Sequence, residues 1–391
     1  RQMCIRDRGT THFRPLPTSE DPAVTTTTGA PVSDLVREQQ KNFAHWQVIQ
    51  DCIDQYIDMM LNYRQSGHPG GSRSKVHGFM GLTLSGAMRW DIRRPELALA
   101  DRFVLIAGHC APLIYGTMPV YHEALRYLHQ QTGDDKYAVP GGDDRRVVWE
   151  DLLNFRRRGG LAGHAEMEGK TLFFKSNTGP SGHGGPPAAG IAMALKRAGL
   201  GDVRVFGYEG EGGLTAGCHH ETKNSAWGLG LDNLYYLVDW NDYGIDSFAA
   251  SSVVPGTPAE WFGAYDWRVH GTEEGSSFEG PTEAILSAVN EENKNGRPGM
   301  VWMKTRKGRG YGKYDYSSHG APHKMNSAEY WETKKPFMET YGIEFDGFGE
   351  AAPSDPAALR TQVRNNMEKV ANVLRGQTGA VEYLANRLVD V

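Results

Sequence analysis

Val205-Phe206-Gly207-Tyr208-Glu209-Gly210-Glu211-Gly212-Gly213, followed thirty residues after Glu211 by Asn241 in Asp239-Trp240-Asn241, is the stretch that organises the rest of the chain. A β-rich run enters a glycine turn bearing a carboxylate, and the next β-rich run ends in an amide. Adjacent parallel strands lie about 4.8 Å apart, so oxygens from both tips can reach one hard cation. The glycines let backbone N–H groups approach a phosphate. Magnesium with a diphosphate suits such a place, and a glycine-rich turn in an ordinary αβ unit is the other reading. This segment by itself leaves both open.

Further β-rich runs occur at residues 103–106, 203–206, 234–239 and 300–303, separated by helical stretches such as 187–198 and 283–290. Strands alternating with helices predict an α/β fold with a mainly parallel central sheet, whose ligands bind at the strand carboxyl ends. Three strands end in glycine or polar clusters: Gly108-His109, Gly210-Glu211-Gly212 and Asn241-Asp242-Tyr243-Gly244. Upstream, Trp46, Ile49, Ile53, Tyr56, Ile57 and Met60 recur at helical spacing until Ser66-Gly67-His68-Pro69-Gly70-Gly71 forbids continuation, delivering His68 into a loop. Near the end, Ser354-Asp355-Pro356 starts a helix with Leu359, Val363, Met367, Val370 and Leu374 on one face and Gly376 as its stop. That face must pack on this domain or on another.

Composition narrows the function. The 391 residues carry 42 Lys plus Arg against 47 Asp plus Glu, a net charge of -5, so no basic field attracts nucleic acid or anionic lipid. The clusters Arg93-Arg94 and Arg156-Arg157-Arg158 are expected on solvated helix faces. Four cysteines without a C-x-x-C pair suit a reducing compartment, taken as the cytoplasm, and no apolar run is long enough to span a membrane. Residues 1–32, opening Arg1-Gln2-Met3-Cys4 and running through prolines and Thr25 to Thr28, are expected to be a disordered or non-native tail.

The Gly210 to Asn241 frame resembles the diphosphate-binding signature of thiamine diphosphate enzymes, G-D-G with a downstream N. It is most similar to that of the transketolase family, whose frame Gly210, Glu211, Gly212, Gly217, His220, Glu221 and Asn241 fit without insertion or deletion. Placing Glu209 at the metal position instead lengthens the spacing to the asparagine to thirty-two, so Glu211 is preferred. The resemblance is colinear through Ser66-Gly67-His68-Pro69-Gly70, Asp101 to Leu105 with Gly108-His109, Gly163-His164, Thr178-Gly179-Pro180, Lys304 to Gly308 and Ser318 to Pro322. His220-Glu221 is not a zinc protease motif, because Asn224 stands where the second histidine is needed.

The resemblance implies a three-layer thiamine diphosphate-binding fold over residues 33–340, with 341–391 as a helical extension leading toward a pyrimidine-binding domain. It implies a Mg2+ ion held by Glu211, Asn241 and the Tyr243 carbonyl, and cofactor contacts from His109, Gly179, Gly210, Gly212, Asn241 and His319. His68, His164 and His319 would act on the hydroxyls of a ketose. The implied activity moves a two-carbon ketol unit from a ketose phosphate to an aldose phosphate, in a dimer or heterotetramer. In this family a glutamate on the pyrimidine-binding domain protonates the cofactor's pyrimidine ring. The sequence stops at Val391 before such a domain, so a split-enzyme subunit or a fragment, inactive without its complement, is expected.

Departures from the family matter. Its metal aspartate is Glu211 here, its dimer-linking glutamate is Ala216, and Ser181 replaces a bulky apolar residue that supports the thiazolium. These changes keep two other readings in view: a 2-oxoacid dehydrogenase E1-like decarboxylase component, and a degenerate paralogue that only binds a partner chain.

Overall fold

The computed structural model describes Thr25–Thr26 and residues 34–390. Its sheet contains β1 (Thr25–Thr26), β2 (Arg102–Leu105), β3 (Val205–Gly210), β4 (Leu234–Trp240), β5 (Arg268–Thr272) and β6 (Gly299–Lys304). All pairings are parallel, in the spatial order β2-β3-β4-β6-β5-β1. Of the tail expected over residues 1–32, Thr25–Thr26 pair with His270 and Gly271; the rest lies outside the described residues.

Both faces of the sheet are covered, so its strands read as nearly continuous apolar runs rather than alternating ones. Phe206, Tyr208, Tyr235, Leu237, Val301 and Met303 join one core with the helices Phe43–Arg64, Val76–Leu84, Ala111–Thr132 and Glu279–Asn290. Val205, Leu234, Tyr236, Val238, Met300 and Trp302 join the other with Gly185–Arg197, Gly217–Gly228 and Pro258–Gly263. The result is three layers, helices on either side of a parallel sheet.

The strand expected at 203–206 starts two residues later. Val203 N–H closes a turn onto the Leu200 carbonyl, and ladder pairing begins only at Val205, opposite Arg102 and Leu234. Strand β5 is absent from the sequence reading because it carries Arg268 and His270. Both are buried yet paired, each 2.9 Å from the Glu291 carboxylate, so the strand enters the sheet despite its composition.

The helix Phe43–Arg64 ends where the sequence requires. Gln65 turns left-handed, and Gly67 at φ +118° leaves no room for a side chain, since a Cβ would lie 2.3 Å from Leu61. His68 follows, and Pro69 opens the short helix Pro69–Ser74. The arginine clusters are not on helix faces. Arg93 sits in a turn against Asp91, and Arg156 follows the 3-10 turn Trp149–Asn154, reaching Ser66 Oγ at 2.6 Å; nearby Pro95 and Gly159-Gly160 suit turns rather than helices.

Asp355 caps the helix Pro356–Gly376 by accepting from the Ala358 N–H. The chain resumes as a helix at Thr378–Val389, which the reading of Gly376 as a stop missed. Both helices pack back onto this domain. Met367, Val370, Leu374 and Leu384 are buried in its core, and Trp46 Nε1 donates to Tyr383 Oη at 2.7 Å. Leu384→Ala is expected to cost about 2–5 kcal/mol in urea unfolding; an unchanged midpoint would contradict this docking.

Candidate active site

Asp239, one residue before the end of β4, is fully buried and collects four donors. Ser74 Oγ lies at 2.5 Å, Lys75 Nζ at 2.9 Å and Asn241 Nδ2 at 2.9 Å, and Thr305 Oγ1 closes on the other oxygen. Burial alone would raise this carboxyl, but Lys75 and the hydroxyl donors outweigh it and hold the group below its ordinary range. One side chain therefore ties the helix after His68, the end of β6 and the loop after β4 to a single point.

Register brings the two key tips together. Gly210 pairs with Asp239, so Glu211 and Asn241 leave adjacent strands side by side. Glu211 Oε2 accepts from the Asn241 backbone N–H at 3.1 Å, and Asn241 Oδ1 accepts from the Tyr243 N–H at 3.0 Å. Glu211 Oε1 is buried without a hydrogen-bond partner. Burial, with the nearby Asp239 charge, pushes the Glu211 carboxyl up to about 8.

Glu209 is occupied differently. Its two oxygens accept from the Gly210 N–H at 2.9 Å and the Gly182 N–H at 3.2 Å. It thus shapes the turn, while Glu211 keeps one oxygen free. Gly210 also has its N–H consumed by Glu209, so what it offers a ligand is space rather than a donor.

A cavity of about 400 Å³ opens here, lined by His109, Ser181, Gly210, Gly212, Asn241, Tyr243 and His319, with Lys75 and Lys307 among its other walls. The rings of His68, His109 and His319 form a triangle with centroids 5.0, 5.1 and 5.3 Å apart. Burial first, then neighbouring cations, lowers His68 and His319 to about 3; burial first, and then Lys75 and Lys307 against the opposing pull of Glu209, lowers His109 to about 4. All three are neutral near pH 7. Lys307 Nζ lies 2.9 Å from His319 Nδ1; a lysine ammonium can only donate, so His319 carries its proton on Nε2. His164 and Gly179 stand slightly apart, lining a second, shallower cleft with Glu166, Asn177 and His183.

Sequence reasoning missed Asp239, Lys75 and Lys307. A signal for the first existed: an aspartate inside the apolar run 234–239 must be buried with a partner. For Lys307 the signal was its place in the family-like run Lys304 to Gly308; no comparable signal marks Lys75, whose position depends on chain segments far apart in sequence. Among the described residues no three His, Cys, Asp or Glu side chains gather as a metal cluster.

The depressed histidines set an acid limit. Their folded forms bind protons less readily than the unfolded chain, so their stabilisation is intact above about pH 6.5 and is lost as pH falls toward 4. His68→Gln should make the fall in unfolding free energy shallower over that window by up to one proton's worth of slope. An identical slope would contradict the buried neutral assignment.

The family model described as "Transketolase, thiamine diphosphate binding domain" matches residues 144–346, just over half of the chain. Transketolase of Halalkalibacterium halodurans is 30% identical over 312 residues, 76% of this chain and 41% of that protein. Transketolase of Rhodobacter capsulatus is 32% identical over 325 residues, 81% of this chain and 43% of that protein. The fold is shared with solved transketolases, including one from Leishmania mexicana at TM-score 0.59 and 23% identity, covering 87% of this chain and 46% of that one. The chain spans about two fifths of the length of the curated relatives it matches. With its family model matched over most of the site just described, the chain belongs to the transketolase family, through that family's thiamine diphosphate-binding domain.

Proposed function

We propose that this domain supplies the diphosphate half of a ketol-transferase site, working with thiamine diphosphate and Mg2+ on sugar phosphates. The observation that carries this reading is the buried, unpartnered Glu211 Oε1, whose companion oxygen accepts from the Asn241 N–H, just behind a cavity walled by Gly210, Gly212, Asn241 and Tyr243. One carboxylate with neutral oxygens suits Mg2+, which takes few protein ligands and completes its shell with phosphate oxygens and water. Glu211 and Asn241 would hold the ion with the Tyr243 carbonyl. Gly212 would let backbone approach the diphosphate; a Cβ there would meet Gly244 at 3.3 Å. The cofactor, when bound, supplies the nucleophilic carbon and electron sink that cleavage of a ketose C2–C3 bond needs.

The chain's own contribution to that chemistry is positioning and proton handling. His109 and His319 would contact the cofactor, and Gly179 would offer its carbonyl to the aminopyrimidine. His68, His164 and His319 would orient sugar hydroxyls, and a neutral His319 with its proton on Nε2 can donate from that atom. Neutrality matters because imidazole can both give and accept protons while an imidazolium can only give. A complementary pyrimidine-binding domain, on the same polypeptide or another, would close the site in a dimer or heterotetramer. Ile245, Phe248 and Val253, about 70% exposed yet lining the cavity, support such a cover. Cys52, Cys110 and Cys218 are free thiols, which supports the cytoplasm as the compartment; among the described residues no helix is long and apolar enough to cross a membrane.

Calorimetry should detect thiamine diphosphate binding in Mg2+, weakened more than about tenfold by Glu211→Ala, since even outer-shell partners of a metal site typically cause losses of that size. Absence of binding to the wild-type chain assembled with a family pyrimidine-binding domain would favour the degenerate paralogue. The assembled protein should consume fructose 6-phosphate with an aldose phosphate acceptor and leave pyruvate untouched. Turnover of pyruvate alone would overturn the ketol-transfer assignment in favour of a decarboxylase.

A further inference from the structure

Beneath the His68 turn, the helix Phe43–Arg64 directs Asp54 and Asp58, one helical turn apart, toward the interior, where they are 4% and 1% exposed. Neither lines the cavity. Both oxygens of Asp54 accept from Arg309 Nη2, at 3.1 and 2.9 Å, and Arg73 Nη1 lies 3.1 Å from Oδ1. Asp58 pairs with Lys334 at 2.7 Å and lies 3.5 Å from Arg73. Arg73 sits on the short helix directly after His68, and Arg309 on the segment running from β6 to His319. Arg73 Nε also donates to the Arg309 carbonyl at 3.1 Å, passing so close to Gly310 that a Cβ there would lie 2.5 Å from its guanidinium. One carboxylate on a long helix thus holds two of the segments that deliver histidines to the triangle.

Buried ion pairs are rarely more stabilising than well-packed apolar side chains, but their charge-assisted bonds are directional where apolar contacts are not. Removing the carboxylate would leave two guanidiniums side by side, and like charges in a poorly solvated interior repel strongly. Resting on the function proposed above, we propose that Asp54 is a positioning residue of this chain: through Arg73 and Arg309 it sets the separation of the His68 turn from the His319 loop, and so the geometry in which the two imidazoles meet a sugar hydroxyl. The two ring centroids stand 5.1 Å apart. Asp54 accepts from Arg309 and Gln50 and from neither histidine, so it governs where the rings stand rather than what they do.

Nuclear Overhauser contacts between the ring protons of His68 and His319, read in the histidine-labelled chain, test the geometry without cofactor, partner domain or turnover. Asp54→Asn should weaken that contact. Should this variant fail to fold, Arg309→Met carries the test, because it leaves Asp54 paired with Arg73, and it too should weaken the contact. Leu384→Ala destabilises the protein through the helix Thr378–Val389 and should leave the contact unchanged, so a contact that merely follows stability overturns the inference. In the chain assembled with a family pyrimidine-binding domain, Asp54→Asn should lower kcat about a hundredfold, the loss that a displacement of about 1 Å can bring, while thiamine diphosphate affinity stays as in the wild type. The Asp54→Asn/Arg309→Met pair should lose no more than Asp54→Asn alone, because both break one tie. An unchanged ring contact in the single variants, an unchanged kcat in an active assembly, or additive losses in the pair overturns the role of Asp54. A wild-type assembly that transfers no ketol unit removes the functional reading instead, and the ring contact still decides whether Asp54 positions the histidines.

Discussion

The carboxylate of Asp239 has no access to solvent and is held by donors from three separate segments of chain: Ser74 and Lys75 after the His68 turn, Thr305 beyond β6, and Asn241 beyond β4. A buried charge tolerates few arrangements, because removing any donor leaves desolvation uncompensated. That intolerance is what makes it useful here. The sheet alone would place three flexible tips near one another. The aspartate fixes Asn241 by its amide nitrogen, so its amide oxygen faces the Tyr243 loop, and it fixes Lys75 by a buried ion pair.

Around that floor, burial sets the charge states of the titratable groups. Burial and the Asp239 charge drive Glu211 toward protonation, and the histidine triangle is driven to neutrality by the same loss of water. Neutral imidazoles are suited to hydroxyl chemistry rather than to binding phosphate as cations.

Much of this was readable in the sequence because it is encoded locally. Glycine and proline punctuate the turn before His68, and the thirty residues between Glu211 and Asn241 span one βαβ unit, whose right-handed crossover returns the chain beside its start. Strand β5 was hidden because its Arg268 and His270 look polar until Glu291, just past the end of the following helix, pairs with both. The helix Thr378–Val389 was hidden because Gly376 looks like a terminus, whereas its apolar face finds a surface only once distant helices have assembled. Lys75 was invisible as a site residue for the same reason, whereas Lys307 stood inside the family-like run Lys304 to Gly308 without being given a role.

The central claim is that one carboxylate and one amide from neighbouring strand ends grip a divalent ion bearing the cofactor's diphosphate. Crystals grown with thiamine diphosphate and Mn2+ and measured at the manganese edge test it most directly. The account predicts a single strong anomalous peak within coordination distance of Glu211 Oε1 and Asn241 Oδ1. A peak elsewhere in the cavity, or ordered cofactor without an ion between those two side chains, would contradict it.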